Sequence, residues 1–176
     1  MRTVSMRPHL CAAFLLAANQ LLVGCGGDSG GPSIPQVAGT YSITENATAT
    51  TCTPTDPPPG GTVRLEAFSQ TYDVQITQSG TALQLFEVGV PQAVESGTIA
   101  ADGSMSFTSN FVFQEAPREG NRVFFVDLTI QRELQVQSAT QILGSASYVN
   151  VFLEDSSTAP IYATCPRQAT NELVRK

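Results

Sequence analysis

The sequence is poor in the side chains that carry out most enzyme chemistry. It has no Trp, a single His (His9) and a single Lys, the last residue Lys176. Charged residues make up only 14% of the chain, and 15 acidic residues outnumber 9 basic ones. A nucleic-acid-binding protein needs a basic surface, so this balance argues against such a partner. Low charge together with 41% hydrophobic residues also argues against a disordered chain.

The N-terminal residues have the order of a secretory leader. Arg2 and Arg7 precede an apolar run from Leu10 to Val23. This run is shorter than the about 20 residues that a membrane-spanning helix needs. A short positive segment followed by a short apolar segment is typical of a signal peptide.

The leader ends in Leu22-Val23-Gly24-Cys25, which resembles the lipobox of bacterial lipoproteins. The resemblance implies cleavage between Gly24 and Cys25, a diacylglycerol on the Cys25 thiol, and often acylation of the new amino group. Two or three acyl chains anchor a protein stably, whereas one is marginal. Because Gly26 rather than Asp follows the Cys, we expect a lipid anchor in the outer membrane of a bacterial cell envelope. The alternatives are an ordinary signal peptide with a chance Cys, or a buried N-terminal helix.

Removal of residues 1–24 would also remove the only imidazole. The remaining chain has 7 basic and 15 acidic residues, a formal net charge of −8. Without His it lacks the usual general base and the usual zinc or copper ligand. Residues 27–32 (GDSGGP) match the sequence around the nucleophile of chymotrypsin-like proteases, but no His would be left to activate Ser29. We therefore expect no enzyme, no metal and no cofactor.

Two thiols remain once Cys25 is lipidated. In an oxidising compartment, Cys52 and Cys165 form a disulfide by default. Closing a loop of this length stabilises a protein by about 4–5 kcal/mol in the chain-entropy model. Two free thiols, or a redox pair, are the alternatives, although a redox pair usually has Cys-x-x-Cys spacing.

The mature chain divides into a tether and one domain. Residues 25–36 are rich in Gly, Ser and Pro and predict a flexible tether, and residues 37–176 predict a single domain. Alternation of apolar and polar residues indicates about eight strands, with a Thr/Pro-rich loop over 46–61. Predicted strand segments are 37–45, 62–68, 72–77, 83–85, 96–101, 105–113, 124–136, 142–153 and 162–167, with turns at Ser79-Gly80, Asp102-Gly103 and Ser138-Ala139.

These segments predict an all-β, antiparallel up-and-down barrel of about eight strands, with a β-sandwich as the alternative. A disulfide from the first loop to the last strand favours closure, because the first and last strands are neighbours in such a barrel. Gly39-Thr40-Tyr41 resembles the Gly-x-Trp opening of lipocalins, with Tyr in place of Trp. The resemblance implies the shape of a lipocalin-sized barrel.

One charged residue falls in an apolar row. Arg132 shares the parity of Leu128, Ile130, Leu134 and Val136, which places it toward the barrel interior. A buried Arg needs a partner or a ligand anion. We favour the other interpretation, in which a twist or bulge of the strand carries Arg132 to the rim.

Inward aromatic rows with little charge predict a lipid-anchored module that binds a small apolar ligand. The candidate ligand-binding residues are Tyr72, Phe107, Arg132 and Tyr148.

Two other classes of function stay open. A structural or interaction lipoprotein, or a protein inhibitor, would act through its outer surface, with an exposed apolar patch on Val149, Val151 and Leu153. An enzyme using carboxylates alone is the third class. We expect a monomer attached to the membrane through its lipid, with an apolar ligand or an envelope protein as partner.

Overall fold

The computed structural model describes residues 33–54, 62–90, 93–114, 124–154 and 161–176. The predicted leader, the lipidation site Cys25, the GDSGGP string and most of the predicted tether lie outside these residues. No helix long and apolar enough to cross a membrane is found in the described ranges.

Alternating side chains build ten strands in the described residues, and eight of them close into an antiparallel barrel. Consecutive barrel strands are neighbours, so the predicted up-and-down topology is confirmed and the sandwich alternative is wrong. A closed eight-stranded barrel also fits the lipocalin-like shape. The strands are β1 (Gly39–Ala47), β2 (Thr50–Cys52), β3 (Val63–Leu65), β4 (Phe68–Ser79), β5 (Ala82–Glu87), β6 (Val94–Ile99), β7 (Ser104–Gln114), β8 (Phe124–Val136), β9 (Gln141–Glu154) and β10 (Ile161–Arg175).

The barrel closes where β1 pairs with both β4 and β10. Tyr41 of β1 lies opposite Val74 on one side and Arg175 on the other. Strands β2 and β3 stand apart as a small two-stranded sheet. The predicted disulfide is confirmed: Cys52 of β2 is bonded to Cys165 of β10, with 5.4 Å between their Cα atoms. It attaches the small sheet to the last barrel strand.

Most predicted strands differ from the observed ones by a few residues at their ends, and the predicted loop over 46–61 contains the short strand β2. Two predicted strands differ more. Residues 62–68 do not form a barrel strand, because Val63–Leu65 pair with β2 and the barrel resumes only at Phe68. The last strand does not end at Arg167 but continues to Arg175. In this last part of β10, the inner side chains are a small, a polar and a large apolar residue. Hydropathy therefore does not alternate clearly along it.

The hairpin turns follow the sequence closely. Ser79 pairs with Ala82, so the first turn is Gly80-Thr81, one residue later than predicted. In the predicted Asp102-Gly103 turn, the Asp102 carboxylate accepts hydrogen bonds from the Ser104 backbone N–H at 2.9 Å and hydroxyl at 2.7 Å. These bonds lower the pKa of Asp102 and fix the turn before β7.

The largest apolar cluster fills the end of the barrel where β1 begins and β10 ends, which we call the lower core. The segment before β1 closes this end: Val37 is buried, and its backbone N–H donates to the Gln78 side chain at 2.8 Å. The Tyr41 hydroxyl donates to the Val37 carbonyl at 2.8 Å. The lower core consists of Val37, Tyr41, Ile43, Val74, Ile76, Leu83, Leu85, Ile99, Met105, Phe107, Leu134, Ile142 and Leu173.

Two inward-facing glycines allow bulky neighbours to lie against the barrel wall. A Cβ on Gly97 would overlap the Ser106 backbone oxygen and lie 2.6 Å from the Phe107 ring. A Cβ on Gly144 would overlap the Glu133 backbone oxygen and lie 2.8 Å from Leu134. Glycine occupies these positions because the neighbouring strand comes too close to leave room for a Cβ atom.

Candidate functional site

Arg132 lies inside the barrel with only 3% of its surface exposed, so the expectation that it reaches the rim is wrong. Strand β8 keeps regular pairing on both sides here, with Arg132 opposite Phe107 of β7 and Ala146 of β9. No twist or bulge turns the side chain outward. The partners that a buried guanidinium requires are supplied by the protein itself.

Those partners form a buried polar cluster, which we call the Arg132 network: Arg132, Glu45, Glu95, Asn171 and Tyr72. Arg132 Nε donates to both carboxylate oxygens of Glu95, at 3.0 and 2.9 Å. Arg132 Nη1 donates to Glu45 Oε1 at 2.9 Å and to Asn171 Oδ1 at 2.6 Å. The Tyr72 hydroxyl donates to Glu45 Oε2 at 3.1 Å. The network links β8 to β6, β1, β10 and β4 across the barrel.

Small side chains make room for this arrangement. Ala146, Ala169 and Ala47 are directly paired across β9, β10 and β1, all on the inner face and all buried. This row begins at Arg132, which pairs with Ala146. Since no bulky group stands in the row, the Arg132 guanidinium reaches Asn171 and Glu45 on strands that are not its neighbours.

The electrostatics of the network favour a charged Arg132. Burial alone would lower the pKa of Arg132, but Glu95 and Glu45 together raise it. Burial raises the pKa of Glu95, and the attraction of Arg132 opposes this only in part. Burial also raises the pKa of Tyr72, which keeps its hydroxyl protonated as a donor to Glu45.

Beyond the Arg132 network, the interior extends toward the end of the barrel where β1 finishes and β10 starts. We call this region the upper interior, and its lining differs from that of the lower core. Four inner residues lie there in one row, because Ser109 pairs with Ile130, Ile130 with Tyr148, and Tyr148 with Arg167. Aromatic rings stand beside this row. The upper interior comprises Phe68, Ser109, Phe111, Leu128, Ile130, Tyr148 and Arg167.

Three polar atoms of this row are buried without a hydrogen-bond partner in the described part of the chain: Ser109 Oγ, Tyr148 OH and Arg167 Nε. The Arg167 guanidinium carbon lies 4.7 Å from the centre of the Phe68 ring and 5.8 Å from that of Tyr148. Its Nη1 donates to the Glu66 carbonyl at 3.1 Å. Burial lowers the pKa of Arg167, and Glu45 opposes this.

The upper end of the barrel is covered on one side only, as far as the described residues show. Cys52 of β2 and Leu65 of β3 pack on Val126, Phe152 and Cys165, which belong to β8–β10. On the β5–β7 side, the apolar side chains at this end are exposed to solvent. These are Val88, Val90, Val94, Val112 and Phe113.

The four predicted ligand-binding residues all face the interior but occupy three different environments. Tyr72 and Arg132 belong to the Arg132 network, Phe107 to the lower core, and Tyr148 to the upper interior. Sequence reasoning missed Glu45, Glu95, Ser109, Arg167 and Asn171. The parity that singled out Arg132 also marks Glu45, which shares the inner face of β1 with Tyr41, Ile43 and Ala47. The sequence therefore contained a signal for Glu45.

Other candidate sites in the described ranges are weaker. No three His, Cys, Asp or Glu side chains converge there to hold a metal ion. An open groove of about 460 Å³ crosses β4, β5 and β6, but its rim of Thr77, Ser79, Gln84 and Ser96 is polar and exposed. The groove holds no buried charged group.

Comparison with known proteins adds little to this geometry. No protein-family model and no curated protein matches the chain. One solved structure that is similar, EF1p2_mFAP2b bound to DFHBI, shares 12% identity over 79% of this chain and 93% of that one, with a TM-score of 0.33.

Proposed function

We propose that this chain is a lipid-anchored protein of the bacterial cell envelope whose barrel binds a small, largely apolar molecule in the upper interior. The observation that supports this best is a set of buried polar atoms on Ser109, Tyr148 and Arg167, which lie beside aromatic rings and have no hydrogen-bond partner among the described residues. Leaving such an atom unpaired costs about 1–3 kcal/mol, so native proteins keep few of them. A ligand that supplies the missing partners would account for all three.

The surroundings of the site fit the entry of an apolar molecule. The exposed side chains Val88, Val94 and Val112 lie at the same end of the barrel as the upper interior. The small sheet β2–β3 covers the opposite side of that end and is held by the Cys52–Cys165 disulfide. An apolar lip beside a fixed cover is suited to guide a ligand inward.

The surface-acting alternative has less support. Val149 and Val151 are only partly exposed and Leu153 is buried, so these residues do not form the exposed apolar patch that this alternative requires. The apolar residues that are exposed at the upper end border the proposed binding site instead.

The carboxylate-enzyme alternative meets a different obstacle. Glu45 and Glu95 do converge, but Arg132 binds both of them, and Tyr72 and Asn171 also donate to Glu45. Carboxylates held in this way are not free to transfer protons to a substrate. We expect no hydrolytic activity.

Ligand binding can be tested with N-phenyl-1-naphthylamine, a neutral dye that fluoresces in apolar surroundings. We expect saturable binding of one dye per protein. Ser109→Phe should abolish binding by filling the upper interior, whereas Thr108→Phe, at the exposed neighbouring position, should leave it intact. Circular dichroism would check that both variants fold. Absence of saturable binding, or binding unaffected by Ser109→Phe, would refute the binding proposal.

The anchor has its own test. Wild-type protein should incorporate radiolabelled palmitate in cells and sediment with membranes. Cys25→Ser should abolish the label and release the protein, while Cys52→Ser should retain the label. Unchanged labelling of Cys25→Ser would show that this Cys is not the lipidation site.

A further inference from the structure

We infer that the ligand of the upper interior is an apolar acid whose carboxylate is bound by Arg167 and Tyr148, with Ser109 as a third donor. This inference rests on the proposed binding function and specifies the chemical class of the ligand.

The three donors lie in one row of paired residues that crosses from β7 to β10. Tyr148 and Arg167 are direct partners in the β9–β10 register, and Ser109 stands two strands away in the same row, beyond Ile130. Strands are about 4.8 Å apart, so the row spans a distance that the long Arg and Tyr side chains can bridge. Ser109 and Tyr148 are both more than nine-tenths buried.

Arg167 differs from Arg132 in having charge that no carboxylate takes up. Glu95 binds Arg132 through both oxygens, and Glu45 binds the Nη1 of the same guanidinium. In the described ranges no carboxylate lies within ion-pair distance of Arg167, and its Nη1 donates to the Glu66 carbonyl instead. Its Nε is buried and has no acceptor among the described residues.

The donors suit a planar monoanion. A guanidinium N–H and two hydroxyls match the acceptor sites of one carboxylate, whose two oxygens accept up to four hydrogen bonds. Glu45 and Glu95 are both bound to Arg132, and no carboxylate of the described ranges forms an ion pair with Arg167. One added negative charge would therefore pair with Arg167, whereas a second would be buried without a partner. A monocarboxylate adds one such charge and a phosphate monoester about two. This favours the carboxylate.

Apolar side chains surround the donors on the remaining sides. Phe111, Leu128 and Ile130 line β7 and β8 at this level, and Phe68 stacks under the Arg167 guanidinium. The body of the acid would contact these groups, while its carboxylate faces the row of donors. A hydrocarbon chain and a fused aromatic ring both satisfy this description.

Isothermal titration calorimetry with matched acid and alcohol pairs tests the inference. The probes are dodecanoate with 1-dodecanol, and 2-naphthoate with 2-naphthol, titrated into the purified protein at neutral pH. We expect one acid at least to bind about tenfold or more tightly than its alcohol, as a charged hydrogen bond implies. The pair that binds distinguishes an aliphatic from an aromatic ligand.

Two arginine variants separate the site from general charge effects. Arg167→Met should lower the affinity for the acid about tenfold or more and leave the affinity for the alcohol within about twofold. Arg175→Met is the matched control, because Arg175 also lies over a tyrosine ring and donates to a backbone carbonyl, but at the lower end. It should change neither affinity.

The outcomes distinguish the inference from the proposed function. Equal binding of acid and alcohol, unaffected by Arg167→Met, would overturn the carboxylate site and leave a neutral-ligand module standing. Failure of all four probes to bind, while the dye still binds, would overturn the inference and leave the binding function standing. Loss of acid binding in Arg175→Met as well as in Arg167→Met would show that net charge, rather than this site, attracts the acid.

Discussion

The two halves of the barrel interior differ in how their polar groups are paired, although the same strands build both. In the lower core every inner side chain is apolar or hydrogen-bonded, as with Tyr41, whose hydroxyl donates to Val37. In the upper interior, Ser109, Tyr148 and Arg167 leave polar atoms buried without a partner in the described chain. The Arg132 network lies between the two.

This difference separates stability from function within one fold. A fully buried Leu or Ile side chain contributes about 1.5–3 kcal/mol, and the lower core collects many of them. The upper interior lacks part of that stabilisation, because it keeps buried polar groups that no described residue pairs. Such concessions are expected at binding sites. The following changes test whether the division is real.

Removing the charge at the boundary should have the largest effect. Arg132→Met keeps the length of the side chain but leaves Glu45 and Glu95 buried without their cation, which should lower the free energy of unfolding by about 3–5 kcal/mol. Urea denaturation followed by circular dichroism would measure it. Arg64→Met, which removes an exposed ion pair with Glu66, should cost less than about 1 kcal/mol.

A rescue variant makes this prediction specific. Adding Glu45→Gln and Glu95→Gln to Arg132→Met removes the unpaired charges and should recover much of the loss. If Arg132→Met lowered the free energy of unfolding no more than Arg64→Met does, the Arg132 network would not stabilise the boundary between the two halves.

Truncation within the lower core should follow. Leu173 is fully buried there, and Leu173→Ala should lower the free energy of unfolding by about 2–5 kcal/mol through lost burial and a remaining cavity. Val174→Ala, at the exposed next position, should change it by less than about 0.5 kcal/mol. Similar values for the two variants would mean that the lower core is not tightly packed.

A methyl group added where two strands lie close together should cause a smaller loss of stability. Gly97→Ala adds a methyl group that overlaps the Ser106 backbone oxygen and crowds the Phe107 ring, so we expect a loss of about 1–3 kcal/mol. Ser96→Ala, the exposed neighbour on the outer face, serves as the control in thermal denaturation. If the Gly97→Ala variant were as stable as the Ser96→Ala variant, the neighbouring strand would be able to move away from the added methyl group at little cost.

The raised pKa of Glu95 predicts a pH dependence at the boundary. Folded Glu95 binds its proton more tightly than unfolded Glu95, so its contribution to stability falls as pH rises from the ordinary value of 4.5 through the folded pKa. Glu95→Gln should remove this part of the slope in urea denaturation across that window. A variant with an unchanged slope would contradict the assignment to Glu95.

The fold could be predicted from the sequence because most strands carry the same signal. Apolar and polar residues alternate with a period of two, and turn residues separate the strands. The pattern failed at the end of β10, where inner residues such as Ala169 and Asn171 are not uniformly apolar. It also failed at 62–68, where Val63–Leu65 pair with β2 outside the barrel. The same reason explains the site. Arg132 was recognised as inward by parity and then assigned to the rim, because its partners Glu45 and Glu95 are 87 and 37 residues away in the sequence.

The smallest effect tests the comparison most directly, because it uses the same chemical change in both halves. Tyr41→Phe removes a hydroxyl that donates at 2.8 Å and leaves the Val37 carbonyl without that donor, which should cost about 1 kcal/mol. Tyr148→Phe removes a buried hydroxyl that has no partner in the described chain, so stability should stay unchanged or rise slightly. Differential scanning calorimetry of the two variants would measure both. If Tyr148→Phe lost as much as Tyr41→Phe, the Tyr148 hydroxyl would have a structural partner, and the upper interior would be as fully satisfied as the lower core.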